Sequence, residues 1–332
     1  MVDVKEYNFD KDVDFISYSS EEEWHELRKD GIGGSDAGAI MGLNKYVSPL
    51  KVYRTKKGLY SEDVEDNVYI KKGKDLESFI FNKYVVPHME NNNYRAIHPE
   101  HIFVNKQYPW LRANCDGIAV PAGYSIPTDS SNNIVIEIKW VSEWAEINWG
   151  DDAYGGIPAS YYAQVQHYMT VTGARKALVF AMFDRTWEVK IFEIPYNLSF
   201  SLRMLHQTSE FHTNLLLGKE PPITATLDKE FMPDALDSSP TKTEISEELD
   251  QTVAEYLVAK EALKQSEKEL DELYNKAVQL YLEGKRPKFY RMKISTCTRA
   301  GFDTKRFSVE HPDVYSEYVS ASEYSRVTMK KV

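Results

Sequence analysis

The stretch that decides the fold is Ile134-Val-Ile-Glu-Ile-Lys139, which the pair Asp116-Gly117 precedes in the chain. Its apolar residues are β-branched and follow a turn-rich segment, as is typical of a short core strand. Side chains alternate along a strand, so Val135, Glu137 and Lys139 share one face and the three isoleucines the other. Glu137 and Lys139 are therefore neighbours in a core strand, where charged groups are costly unless they have a function.

A second strand is predicted at Ala113 to Val120, with Asp116 near its Gly-containing bend. The segment Pro121 to Asn133 is expected to contain a long, exposed hairpin loop, and antiparallel pairing would bring Asp116 across to Glu137. Two carboxylates at one point form a site for Mg²⁺ or Mn²⁺, and the neighbouring ammonium of Lys139 can orient water or stabilise charge developing on phosphorus. This arrangement predicts hydrolysis of a phosphodiester.

An ordinary structural explanation fits the same residues. An Asp-Gly pair is common in turns, and a Glu-x-Lys on a strand is usually a solvated face that carries a weak ion pair. Such short patterns are permissive, so the surrounding sequence has to decide between the two explanations.

Five blocks of sequence, in order, resemble the PD-(D/E)xK nuclease superfamily and, within it, the YqaJ-type viral recombinase branch that includes phage lambda exonuclease. The blocks are Arg28-Lys-Asp-Gly-Ile-Gly-Gly-Ser-Asp-Ala37, Gly73-Lys-Asp-Leu-Glu77, Asn114-Cys-Asp-Gly117, Glu137-Ile-Lys139 and Tyr161-Tyr-Ala-Gln-Val-Gln-His-Tyr-Met169. Each block alone is weak, and the ordered set is a strong signal. The resemblance implies an α/β (α+β) core of the restriction-endonuclease type, with a central mixed sheet flanked by helices.

The resemblance also implies a set of metal ligands. They are Glu77, Asp116, Glu137 and the carbonyl of Ile138. Without the resemblance, Glu77 has an ordinary alternative role, as a first-turn glutamate favoured by the helix dipole.

The block from Tyr161 to Met169 predicts a helix in which positions 161, 164 and 168 share one face. Gln164 and Tyr161 would then face the strand that bears Lys139, and the resemblance implies that they order water and substrate. The other face is predicted to be core, and His167 is expected to be a packing residue without a catalytic role.

The Gly-rich turn at Gly31 to Asp36 precedes an apolar helix and suits an anion at a helix N-terminus, although a plain capped helix explains the same residues. Arg28 makes a two-pronged phosphate contact plausible. The resemblance implies that Arg28 and Ser35 hold the phosphate of a DNA end, and Gly34 and Asn114 complete the predicted phosphate site. Asn114 and Cys115 stand where the family more often has serine and proline, and this departure leaves the carboxylate of Asp116 in place.

Composition limits the class of protein. The 332 residues, 42% of them hydrophobic, suffice for a sizeable core, and the two cysteines, Cys115 and Cys297, exclude a disulfide framework or a four-cysteine iron-sulfur cluster. The sequence lacks an apolar stretch of the roughly 20 residues that span a bilayer and a secretory apolar region, so we expect a cytoplasmic protein without membrane contacts.

The net charge of −11 means that DNA binding has to come from local basic patches. The candidate patches are Lys51, Arg54, Lys56 and Lys57; Lys71, Lys72 and Lys74; and Lys285, Arg286, Lys288, Arg291 and Lys293. The first two flank the site blocks and are predicted to contact DNA, although short charge runs are usually solvated faces.

Four segments are predicted: a nuclease core at residues 1–225, a linker at 226–243, a helical arm at 244–284 and a small extension at 285–332. The arm lacks Gly and Pro up to Glu283 and has an approximate heptad of apolar residues. A single coiled-coil arm and a helical hairpin explain this pattern equally well. The arm suits partner docking or self-association.

The expected function is metal-dependent digestion of duplex DNA ends, 5′ to 3′, which exposes a single strand for recombination. The polarity rests on the resemblance alone, as do a homo-oligomer such as a ring trimer and a single-strand annealing protein as partner. Two alternatives are an endonuclease, or a nuclease of opposite polarity, on the same site, and a catalytically weak DNA-binding or scaffold protein that acts through its arm.

Overall fold

The computed structural model describes residues 12–60, 68–123, 130–150, 152–231 and 246–288. The chain divides into two compact units at Phe231. The strands are β1 (Val13–Ser17), β2 (Tyr94–Ile97), β3 (His101–Asn105), β4 (Tyr108–Ala113), β5 (Gly117–Pro121), β6 (Ile134–Val141), β7 (Lys176–Phe183) and β8 (Glu188–Pro195).

The strands form two sheets in the first unit. The smaller sheet has the antiparallel order β1-β3-β4, and the larger has the order β2-β5-β6-β7-β8. Within the larger sheet β6 and β7 are parallel and the other neighbouring pairs are antiparallel. The expected central mixed sheet flanked by helices is therefore confirmed.

The helices of the first unit are α1 (Glu21–Lys29), α2 (Gly34–Ile40), α3 (Pro49–Lys56), α4 (Val68–Ile80), α5 (Val86–Asn91), α6 (Ala159–Thr172) and α7 (Leu198–Leu216). A π-helical turn, Phe81–Val85, joins α4 to α5. The second unit contains α8 (Glu247–Leu282). None of the described helices combines the length and apolarity needed to cross a membrane.

Strand β6 separates two cores, as its alternating pattern predicts. Val135 belongs to a large cluster that includes Val165 and Met169 of α6. The three isoleucines of β6 pack on the other side, against Ile80 and Phe81 at the end of α4. Because α6 is buried along nearly all its length, the strand and this helix form the rigid frame from which the polar residues project.

Helix α6 ends at Gly173, whose φ of +78° is the left-handed conformation that suits glycine at a helix C-terminus. A Cβ at this position would lie 2.4 Å from Ser130 Oγ, so glycine is also required for space. The close approach fixes the end of α6 against the segment that leads into β6.

The prediction of one strand over Ala113–Val120 is wrong. Strand β4 ends at Ala113 in the smaller sheet, and β5 starts at Gly117 in the larger one. The chain changes sheets between them, so residues 114–116 form a connection instead of a strand. A Cβ at Gly117 would lie 2.9 Å from Phe81 and 3.0 Å from Ile136, which explains why the strand begins with glycine.

The predicted core boundary at residue 225 also needs correction. Buried Asp228 accepts a hydrogen bond from the Ser48 hydroxyl and another, of 2.6 Å, from the Thr224 amide. Lys51 of α3 forms a 2.7 Å ion pair with Glu230. Residues 226–231 are thus packed on the first unit, and the predicted linker begins after Phe231 at the earliest.

Helix α8 answers the question that the heptad pattern left open. It runs without interruption through 36 residues from the N-cap Ser246, whose hydroxyl accepts the Leu249 amide, so the segment is one long helix and the hairpin alternative is wrong. The strands and short helix expected beyond residue 288 lie outside the described residues.

Acid should destabilise the first unit through His167. This side chain is fully buried, donates from Nε2 to the Arg112 carbonyl at 3.0 Å and has no partner for Nδ1 among the described residues. Burial lowers the pKa of His167 to about 4, so its stabilising effect is present above an unfolded pKa of about 6.5 and is lost as the pH falls towards 4.

We expect about 2 kcal/mol of this acid destabilisation between pH 7 and pH 5. A His167→Gln variant keeps a donor for the Arg112 carbonyl and should lose less thermal stability over that range than the wild type does. The measurement is the Tm at both pH values, with the exposed residue in His206→Gln as control. Equal acid losses in all three proteins would contradict the prediction.

Candidate active site

The register of β5 and β6 places Asp116 beside Glu137. Gly117 pairs with Ile136 in the antiparallel ladder, so the residue before Gly117 lies next to the residue after Ile136. Asp116 Oδ2 accepts the Ile138 amide at 2.6 Å. The predicted meeting of the two carboxylates is therefore found, and a backbone hydrogen bond fixes one of them.

Glu137 is the centre of the site, with 1% of its surface exposed. Its Oε1 accepts hydrogen bonds from the Lys139 ammonium and, at 2.7 Å, from the Gln164 amide. Its Oε2 is buried and has no donor among the described residues. Such an unsatisfied buried carboxylate oxygen is costly, and it leaves a free anionic ligand inside the site.

Electrostatics make this acidic pair costly without a cation. Burial, followed by the charge of Glu137, raises the pKa of Asp116 well above its ordinary value. Burial also raises the pKa of Glu137. Burial alone would lower the pKa of Lys139, but the charges of Glu137 and Asp116 outweigh it and hold that pKa above its ordinary value, so Lys139 stays an ammonium.

Glu77 lies in the last turn of α4, so the alternative of a first-turn glutamate is wrong. Its charge contributes to the raised pKa values of both Asp116 and Glu137, so it faces the same region. Its Oε1 lies 3.5 Å from His98 Nε2.

Among the described residues, no group of three Asp, Glu, His or Cys side chains lies close enough together to hold a metal ion as it stands. Asp116 and Glu137 form the fixed part of the acidic site. The roles of Glu77 and of the Ile138 carbonyl as ligands stay predictions.

Helix α6 supplies the predicted glutamine and tyrosine. Gln164 donates both to Glu137 and, at 3.0 Å, to the Tyr168 hydroxyl. The Lys139 ammonium lies 4.9 Å from the centre of the Tyr161 ring, a cation–π contact. The predicted face of α6 therefore does point at β6.

Two aromatic residues of the site escaped the sequence reasoning. Tyr168 was placed on the correct helix face but received no role, although it holds the Gln164 amide in place. Trp149 packs on the Tyr161 ring with centroids 5.8 Å apart. Its only signal in the sequence was its position between β6 and α6, two elements that carry polar site residues.

The predicted phosphate residues Arg28 and Ser35 are in contact. Arg28 Nη2 donates to Ser35 Oγ at 3.0 Å, and the guanidinium stacks over Trp24 at 4.6 Å. The Asp36 carboxylate accepts the Gly33 amide at 2.8 Å and pairs with Lys56 at 2.6 Å. This packing holds the start of α2 and the end of α1 together.

Gly34 connects this region to the acidic pair. It is buried, and a Cβ there would lie 2.4 Å from Tyr168 Cε1. Since Tyr168 also binds Gln164, the start of α2 and the acidic pair share one packed frame. Asn114 is half-buried in the connection between β4 and β5, and its phosphate role, like that of Gly34, stays a prediction.

The first basic patch is largely neutralised within the chain. Lys51 pairs with Glu230 at 2.7 Å, Arg54 with Glu220 at 3.1 Å and Lys56 with Asp36 at 2.6 Å. These acids are distant in sequence, so the charge run gave no sign of them. Lys57 is exposed and remains a candidate for DNA contact.

Glu137 and Lys139 on β6 and Asp116 just before β5, in a mixed sheet with helices on its faces, form the arrangement that the resemblance to the PD-(D/E)xK nucleases implied. Residues 23–175 match the family model of the YqaJ-like viral recombinase domain, so this part of the chain is similar to that family. The match supports a phage-type nuclease.

Similar proteins cover between 59% and 95% of this chain. The uncharacterised protein YqaJ of Bacillus subtilis strain 168 is 27% identical over 95% of this chain and 96% of its own. The alkaline exonuclease LHK-Exo of Laribacter hongkongensis, solved with dAMP, is 18% identical over 59% of this chain and 93% of its own, with a TM-score of 0.46. A phage-related exonuclease from Haemophilus somnus 129PT is 13% identical over 59% of this chain and 99% of its own, with a TM-score of 0.35.

Removing one carboxylate should relieve the acidic pair. In Asp116→Asn the amide oxygen can still accept the Ile138 amide, while the repulsion with Glu137 disappears. At pH 8 without divalent ions we expect the free energy of unfolding of this variant to exceed that of the wild type by about 1 kcal/mol. Thermal unfolding in EDTA and in Mg²⁺ tests this: Mg²⁺ should raise the Tm of the wild type and leave that of the variant unchanged.

Asp184→Asn is the matched control, because this aspartate lies just after β7, away from the acidic pair, and should leave the Mg²⁺ effect intact. If Asp116→Asn still gained as much stability from Mg²⁺ as the wild type, the assignment of Asp116 as a ligand would be wrong.

Proposed function

We propose that this protein is a divalent-metal-dependent exonuclease that digests duplex DNA from its ends, 5′ to 3′, and exposes a single strand for recombination. The observation that carries the proposal is the bare, buried Oε2 of Glu137 beside Asp116, with the Lys139 ammonium on the opposite oxygen of the same carboxylate. The family match of residues 23–175 supports a nuclease of the phage type.

The donor set fits a hard divalent cation. All its proposed ligands are oxygens: the carboxylates of Asp116, Glu137 and Glu77 and the carbonyl of Ile138. Oxygen ligands of this kind suit Mg²⁺, and Mn²⁺ is expected to substitute. When bound, the ion would stabilise negative charge on the phosphodiester and lower the pKa of a bound water.

Lys139 is the residue proposed to act on the reacting group. Its ammonium is held by Glu137 and by the Tyr161 ring, and only 20% of its side chain is exposed. A cation fixed in this way can orient an attacking water and stabilise negative charge on phosphorus without first losing a hydration shell. Gln164 fixes the same Glu137 oxygen from the other side, so the two donors together set the direction of the carboxylate.

End recognition is assigned to the phosphate residues. Arg28 is held by its stacking on Trp24, and its guanidinium already reaches the exposed hydroxyl of Ser35. A terminal 5′-phosphate would add a charge-assisted contact to this pair, with Gly34 and Asn114 as further contacts. The duplex end would then lie against the start of α2, which Tyr168 and Gln164 connect to the acidic pair.

The family resemblance also supports two proposed partners. One is a single-strand annealing protein, which would take up the exposed strand. The other is further copies of this chain, for example in a ring trimer around DNA.

Digestion of labelled duplex DNA tests the function. With Mg²⁺ we expect loss of linear duplex from its 5′ ends and intact covalently closed circles, and we expect no digestion in EDTA. Lys139→Ala should lower the rate at least 100-fold, since a charge fixed at the reacting group is removed. Lys176→Ala, on the exposed Lys176–Glu193 pair of the neighbouring strands, is the matched control.

Cut circles would favour the endonuclease alternative, and digestion from 3′ ends would reverse the polarity. Absence of any cleavage by the wild type would favour the scaffold alternative.

Arg28→Ala should remove the preference for phosphorylated ends. Loss of a charge-assisted contact of about 1.5–3 kcal/mol corresponds to a roughly 10- to 100-fold slower attack on 5′-phosphorylated duplex, with little change for 5′-hydroxyl duplex. Lys29→Ala removes the adjacent cation, which pairs with Glu26 on the surface, and should behave as the wild type does. A uniform loss of rate on both substrates in Arg28→Ala would argue against end recognition by this residue.

A further inference from the structure

Helix α8 presents a long apolar seam that nothing in the proposed function uses. None of its described residues is buried, and Leu263 and Leu270 at its middle are 61% and 67% exposed. The seam residues recur at spacings of three, four or seven, as a heptad repeat requires: Leu249, Val253, Tyr256, Leu263, Leu270, Tyr274, Ala277 and Tyr281. Because an amphipathic helix is stabilised mainly by packing of its apolar face, a partner for this seam is expected.

Two charged residues interrupt the seam. When Leu249 is assigned to position d of the heptad, Lys260 and Glu267 fall at successive a positions, which face the partner in a coiled coil. They have opposite charge and flank the middle of the helix. Apolar seam residues continue on both sides of this charged centre.

The charges distinguish the two orientations of a helix pair. In a parallel pair each a position meets the same position of the second helix, so Lys260 would face Lys260 and Glu267 would face Glu267. In an antiparallel pair centred between them, Lys260 of each helix lies within about one turn, 5.4 Å, of Glu267 of the other. Polar groups at a positions are known to fix register and orientation in this way.

We propose that α8 binds α8 of a second copy of this chain in an antiparallel, two-fold symmetric coiled coil. In a two-fold symmetric pair, every contact occurs twice with the two helices exchanged. Lys260 of each helix then lies near Glu267 of the other, so both copies of this contact join opposite charges. The same symmetry packs the N-terminal apolar half of each helix, around Val253, on the C-terminal half of the other, around Tyr274. This self-complementarity is the reason to assign a second copy as the occupant.

Charge reversal tests the pairing in the full-length chain. Lys260→Glu and Glu267→Lys each place like charges together in the antiparallel pair, and the double exchange restores opposite charges. By light scattering, the mass of each single variant should halve at concentrations where the wild type and the double variant stay associated. The dissociation constant of each single variant should be at least tenfold higher than that of the wild type. Lys276→Glu, at an outward-facing position of the heptad, should leave the mass unchanged.

Several outcomes would overturn the proposal. A wild-type mass of one chain or of three excludes the two-fold pair, because rings of three joined through α8 would contain six chains. Single variants that associate like the wild type, or a double variant that fails to recover, exclude the Lys260–Glu267 contact. A parallel pair predicts that neither single reversal matters, because like charges face each other in every case.

The orientation of the two helices can be measured directly with one spin label on a cysteine that replaces Gln251. The substitution Cys297→Ser removes one native thiol that could also be labelled. The second native thiol, Cys115, is buried. The antiparallel pair places the two labels about 40 Å apart, from a rise of 1.5 Å per residue, whereas a parallel pair places them within about 20 Å. A distance in the shorter range would overturn the proposal. Neither readout depends on DNA cleavage, so these results stand apart from the outcome of the nuclease assays.

Discussion

The arrangement on which the site depends is the convergence of two donors on one oxygen of a buried carboxylate. Lys139 from the same strand and Gln164 from α6 both donate to Glu137 Oε1. This convergence links the central strand of the larger sheet to the helix that covers it. Breaking such a buried contact by removing one partner typically costs 3–5 kcal/mol, because the remaining charge is left uncompensated. Tyr168 continues the linkage from Gln164 to the ring contact with Gly34, so the start of α2 depends on the same contacts.

The same convergence leaves the other oxygen bare, and this is the property that makes the arrangement suited to function. With both donors on Oε1, Oε2 is buried without a donor among the described residues, next to a second carboxylate. A core evolved for stability alone would satisfy or remove that oxygen. Local destabilisation of this kind is concentrated at functional sites, where a bound group supplies the missing contact.

Local patterns in the sequence were sufficient to predict the centre of the site. The alternation in β6 predicted the shared face of Glu137 and Lys139, and a hairpin between two strands predicted the approach of Asp116. The failures were non-local. The change of sheets between Ala113 and Gly117 depends on which strands pair, and the acids that neutralise Lys51 and Arg54 lie more than 160 residues downstream. Periodicity likewise could not distinguish one long helix from two antiparallel ones, since both bury the same stripe.

Cys115 shows how the site accommodates a departure from the pattern of the family that the chain resembles. Burial, and then the charges of Glu137 and Asp116, raise the pKa of this thiol well above its ordinary value, so it stays neutral beside the acidic pair. A neutral thiol behaves as a small apolar side chain, and Cys115 indeed packs in the larger core cluster. Cys115 therefore adds no charge to the site, and the balance of two carboxylates against one ammonium is the same as it would be with proline at this position.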